Sequence, residues 1–210
     1  MAILAAKAVA VLHHNVTTNT ISPEGIGYIN SISTLVLKGQ GSSGVEFRTK
    51  GGRLYRLWFV ETMTIGSHRV FYFILWYIEG KLSGVADAEM GRMFVAIIAQ
   101  FLKEHPNDLV YFCHTDSLRS WALHKIFLRW AHDNQDLGEG RMGFFEGAGR
   151  NHDNNNMHFI IFHTFACEDM EELKAFILEN GNEFANCSYE QMNLLLEKAK
   201  ENAGNSDKHS

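Results

Sequence analysis

Between residues 27 and 79 the apolar positions follow the two-residue period of β-strands. Val45-x-Phe47-x-Thr49 alternates, and Leu54-Tyr55-Arg56-Leu57-Trp58-Phe59-Val60 is rich in aromatic and branched residues. Between them lies Lys50-Gly51-Gly52-Arg53, whose Gly-Gly pair supplies the positive φ angles of a tight hairpin. An earlier strand is predicted around Ile32 to Leu37, set off by the Gly/Ser loop from Gly39 to Gly44, and a later turn at Met63 to His68. The run from Val70 to Ile78 shows no alternation, so it needs cover on both faces and a central place in the sheet.

The period then changes. Met90, Met93, Phe94, Ile97, Ile98, Phe101 and Leu102 recur at steps of three and four, which puts them on one helical face. Asp87 is the expected cap, and Pro106 marks the end. Leu109 to Cys113 reads as a short strand, followed by a second helix from about Ser117 to His132 capped by Thr115 or Asp116. That helix carries two apolar stripes, Leu118, Trp121 and Leu128 on one side and Leu123, Ile126, Phe127 and Trp130 on roughly the other. One stripe packs on the sheet. The other is either covered by a loop or a C-terminal helix, or forms a partner or dimer surface with Trp121, Leu123, Phe127 and Trp130 as interface candidates.

Residues 133–156 read as a long Gly/Asn loop, with Phe144 and Phe145 expected to anchor on the outer stripe near Trp130. Met157 to Phe165 is the last predicted strand, and the odd separation of His158 and His163 sets them on opposite faces. Met170, Leu173, Phe176 and Ile177 predict one further helix, and Met192, Leu195, Leu196 and Ala199 another. The expected fold class is α+β, an antiparallel β-meander extended by two later strands with helices packed on the sheet. Residues 1–26 read as an N-terminal arm or short helix, 27–201 as a single domain and 202–210 as a disordered tail.

Composition adds limits. At 210 residues, with 46% hydrophobic and 20% charged residues, the chain has the make-up of a globular domain. A formal charge of −5 argues against a broad nucleic-acid surface. Cys113, Cys167 and Cys187 are widely spaced, without a Cys-x-x-Cys pair, and read as reduced thiols of a cytoplasmic protein. The longest apolar run, Val70 to Ile78, is about half of the ~20 residues a membrane-spanning helix requires. Lys7 divides the apolar start of the chain, so no signal peptide or membrane association is expected.

Candidate chemistry gathers at Cys113-His114-Thr115-Asp116-Ser117-Leu118-Arg119, where a strand hands over to a helix and unpaired backbone amides point outward. Gly138-Glu-Gly140-Arg-Met-Gly143 matches G-x-G-x-x-G, and Gln135-x-x-Gly138-x-Gly140 is similar to the acyl-CoA loop of N-acetyltransferases. Both chemistries need a strand before and a helix after, whereas here a helix precedes and no helical period follows. The segment reads instead as either a lid, in which Arg141 and Arg150 favour anions, or a tolerated insertion. His114, Asp116, His124, His132 and His163 contain no pair at metal-ligand spacing, so no metal and no cofactor are expected. Adjacent strand residues point apart, which rules out Cys113–His114 as a nucleophile pair.

The order of hairpin, amphipathic helix, strand ending Cys113-His-Thr-Asp116, helix with Arg119 and Phe127-Leu-Arg-Trp130, then Met157-His-Phe-Ile-Ile-Phe-His163 resembles a family of small uncharacterised bacterial proteins. The likeness spans about residues 43–180, and it implies a bacterial, cytoplasmic α+β domain without an established activity. Two functions are expected from these features. The first is a non-enzymatic module that binds a protein partner or self-associates, as an inhibitor, immunity or defence accessory protein. The second is binding or processing of a small phosphate-containing ligand at residues 113–119 under the loop 138–149, through His114, Thr115, Asp116, Arg119, Arg141, Arg150 and His163.

Overall fold

Alternation and hairpin signals translate directly into one mixed sheet in the computed structural model, which describes residues 18–19, 21–39, 44–80, 88–115, 118–138, 142–186 and 190. Its eight strands are β1 (Thr18–Asn19), β2 (Leu37–Gly39), β3 (Val45–Arg48), β4 (Leu54–Ile65), β5 (His68–Glu79), β6 (Leu109–Thr115), β7 (Met142–Arg150) and β8 (Asn156–Thr164). They run in the order β2-β3-β4-β5-β6-β8-β7, and β1 pairs with β4 at Phe59 and Val60, beyond the stretch that β3 occupies. All pairs are antiparallel except β5–β6, which the crossover helix α2 (Ala88–Glu104) makes parallel. The α+β class is therefore the observed one, with three later strands rather than two.

Both faces of the sheet are covered. On one face Phe59, Phe71, Phe73, Val110, Ile160 and Phe162 pack with α1 (Pro23–Ile32), α2 and α3 (Leu118–Asp133). On the other, Met63, Val70, Tyr72, Tyr111, Phe159 and Ile161 pack with α4 (Met170–Glu179) and Phe184 from the helical turn 181–186. The run of β5 is central, and Val70 to Phe73 are buried as expected, but the cover fails towards its end, where Ile74, Leu75 and Tyr77 are partly buried and Ile78 is exposed. Every apolar residue predicted for the face of α2, from Met90 to Leu102, is buried.

Three expectations need correction. The meander does not begin at residue 27, because 23–32 is a helix. Ser22 caps it, accepting from the Gly25 N–H at 3.0 Å, and Pro23 occupies the first turn, where its missing N–H costs nothing. The 133–156 segment is not a loop or lid: it holds a 3₁₀ turn (Gln135–Gly138) and then β7, paired residue for residue with β8. Phe144 and Phe145 consequently point to opposite faces, Phe144 towards His132 and Phe162, Phe145 towards His163 and Lys174. Asp87, Asp116, Arg141, Cys187 and the helix expected around Met192 to Ala199 lie outside the described residues, as do the arm before residue 18 and the tail.

Candidate functional site

Strand parity decides which side chains meet at the end of β6. Val110, Phe112 and His114 share the face that carries α3, and β8 presents His158, Ile160 and Phe162 to the same side. The antiparallel register sets His114 directly opposite His158, and the two rings stack with centroids 5.5 Å apart and planes 19° apart. From above, α3 lowers His124 onto them, 4.7 Å from the His114 ring and 6.2 Å from that of His158. Trp121, one helical turn earlier, lies parallel to the His124 ring at 5.2 Å and edge-on to His158 at 5.0 Å. Three imidazoles and an indole thus form one cluster.

The cluster runs from buried to exposed. His124 is 2% exposed, whereas Trp121 is 39% exposed and forms its solvent rim. Nε2 of His124 donates to the Glu146 carboxylate of β7 at 2.8 Å, and its Nδ1 is buried with no hydrogen-bond partner among the described residues. A ring oriented by a carboxylate through one nitrogen and unspent at the other is equipped to donate to, or accept from, a bound group. Arg150 shares the strand face of Glu146 and Ala148, and Ala148 is the residue paired with His158. Its Nε donates to Asn156 Oδ1 at 3.3 Å.

Of the residues expected at this site, His114 stands at its centre and Arg150 on its margin. His163 does not join them: it faces α4 on the other side of the sheet, beside Phe145 and Phe165, where burial lowers its pKa below the ordinary histidine value. Thr115 ends β6 opposite Met157, and Arg119 lies in the first turn of α3; both positions are set by the backbone. Among the interface candidates, Trp121 and Leu123 are exposed. Phe127 and Trp130 are buried and cannot serve. Phe127 stacks on Phe94 of α2 at 4.7 Å, and the Trp130 ring lies over Gly91, where an added Cβ would fall 2.3 Å from it. His124, His158 and Glu146 were not among the expected ligand residues, because their meeting depends on the packing of α3 and on the β6–β8–β7 register rather than on spacing.

A second polar cluster sits on the α4 side of the sheet, where β5 begins. Nδ1 of His68 lies 2.7 Å from the Asn107 carbonyl and Nε2 lies 3.0 Å from Asp169 Oδ2. The Cys167 thiol donates to the other carboxylate oxygen at 3.1 Å. Asp169 precedes α4 but makes no capping bond with its side chain, which is turned to these two partners instead. The hydrogen bond from His68 holds the Asp169 carboxyl below its ordinary pKa, while burial, helped by Asp169, pushes the Cys167 thiol up to about 11. A thiol so placed is kept protonated, the reverse of what a nucleophilic cysteine needs. No described helix is long and apolar enough to cross a membrane. No family model matches this chain, no curated protein or solved structure is significantly similar to it, and the family resemblance gains no support from these comparisons.

Proposed function

We propose that this protein binds a small phosphate-bearing ligand with a planar ring, a nucleotide in class, at the imidazole–indole cluster where β6 hands over to α3. The observation that carries this reading is the convergence of His114, His124 and His158 beneath a half-exposed Trp121. The indole offers a stacking face of the kind that contributes about 1–3 kcal/mol per base. Imidazole N–H groups and the Arg150 guanidinium suit phosphate oxygens. Glu146 holds the His124 ring in place. The reading is one of binding, in the bacterial cytoplasmic setting that the family resemblance implies, and no metal or cofactor enters it.

Thermal shifts with nucleoside mono- and triphosphates at millimolar concentration test it. A ligand at a hundred times its Kd stabilises the folded state by about 2.7 kcal/mol, which moves the midpoint visibly. Wild-type protein is expected to respond, and Trp121→Ala to respond at least ten-fold more weakly while keeping its unliganded midpoint. Failure of every nucleotide to raise the melting temperature overturns the proposal.

The macromolecule-binding reading rests on a narrower observation, the neighbouring exposed side chains Trp121 and Leu123 on α3. Sedimentation velocity separates the two readings. A dimer that Leu123→Ser dissociates favours the interface, and a monomer at all concentrations removes self-association from it.

A further inference from the structure

We infer that His68, Cys167 and Asp169 form a binding site for a divalent transition metal, zinc in class, separate from the imidazole–indole cluster. One donor atom from each lies within 4.8 Å of the others. Tetrahedral zinc with Zn–N and Zn–O near 2.1 Å and Zn–S near 2.3 Å places its donors about 3.4–3.6 Å apart. The two separations to the carboxylate, 3.0 Å from His68 Nε2 to Asp169 Oδ2 and 3.1 Å from Cys167 Sγ to Asp169 Oδ1, lie a little inside that value, so a small outward shift of the carboxylate would admit an ion. Nitrogen, sulfur and carboxylate together select zinc-like ions over calcium or magnesium, which prefer oxygen alone.

The surroundings are those of a ligand set held in position. A metal-ligating histidine commonly donates its second N–H to a backbone carbonyl, and the Asn107 carbonyl stands 2.7 Å from Nδ1 of His68. That carbonyl is itself fixed: the next residue, Asp108, is buried and takes a two-pronged bond from Arg69, at 3.1 Å and 2.5 Å. Asp169 accepts from the thiol and the imidazole at once, one at each carboxylate oxygen, and an ion bound among the three would take the place of those two protons. The cluster opens into a concavity of about 670 Å³ that Glu168, Glu171 and Glu172 also line. Those carboxylates would favour a cation at the mouth, and three protein donors would leave a fourth position to solvent, as in an exchangeable rather than a closed structural centre.

The donors are drawn from sequence positions 99 and 101 residues apart. No local spacing rule joins His68 to Cys167 and Asp169, so the set is not legible in the sequence.

The test uses the full chain stripped of metal with EDTA and titrated with Co²⁺. Wild-type protein is expected to develop the near-ultraviolet absorption of a thiolate–cobalt bond and to saturate at one equivalent. Cys167→Ser keeps a donor to Asp169 but loses the band, whereas Cys113→Ser and Cys187→Ser retain it. Absence of the band in wild type, or its persistence in Cys167→Ser, overturns the proposal. X-ray absorption at the zinc edge of the wild type needs no variant: a single sulfur at about 2.3 Å supports the site, and zero sulfur excludes it.

Discussion

Gly91 shows how a single residue can set the distance between two helices. It lies inside α2, where alanine is intrinsically preferred by about 1 kcal/mol. Propensity alone therefore predicts that Gly91→Ala stabilises the protein. Packing predicts the opposite, since the new methyl would meet the Trp130 ring of α3 at 2.3 Å. We expect a net loss of about 1–3 kcal/mol, the usual range for overpacking, read as a lowered urea midpoint. His163 makes a second prediction at this scale. Burial holds its folded-state pKa below the ordinary value, so beneath about pH 6.5 the unfolded chain takes up a proton that the folded one refuses. Stability contributed by the neutral ring is complete above that pH and falls as the pH drops towards the folded pKa. His163→Gln should flatten the acid limb of stability between pH 7 and pH 5, and an unchanged limb would show that the ring is not its source.

Among the elements, α2 was fully legible because its apolar residues keep the helical period without interruption, and the β4–β5 hairpin because aromatic and branched residues fill both strands. The first helix carried its own signal, Ser22-Pro23-Glu24, hidden by the strand-like residues that follow. β7 was obscured by glycines that its neighbours demand: a Cβ at Gly147 would meet the Phe159 ring at 2.0 Å, and one at Gly149 the Gly181 carbonyl at 1.9 Å. The same limit applied to the candidate site. His114 could be located at a strand end, but its meeting with His158 follows from register, and register is settled by the whole sheet. The two phenylalanines of β7 test this element directly. Phe145→Ser should cost about 3 kcal/mol or more, being buried on the α4 side, and Phe144→Ser less, being only partly buried. Equal losses from the two variants would contradict their opposed orientation.

At the scale of the molecule, β6 and β8 send alternate residues into the cores on both faces, so neither core can come apart without dismantling strands that the other needs. Urea unfolding followed by tryptophan fluorescence and by far-ultraviolet circular dichroism is expected to give coincident transitions; separated midpoints would show that the two faces melt independently. The sheet ends at β7, and there the contact between Gly149 and the turn 181–186 acquires a further meaning. A terminal strand is a seam onto which another molecule can zip its own backbone, and protein chains that leave such seams open are prone to join into fibres. Here the Arg150 N–H donates to the Asn182 side chain at 2.7 Å, and the turn crosses the strand so closely that an incoming chain finds its first rung already taken. The helical turn 181–186 thus stands as a plug against propagation, and Asn182→Ala is expected to aggregate sooner than the wild type on heating, read by light scattering.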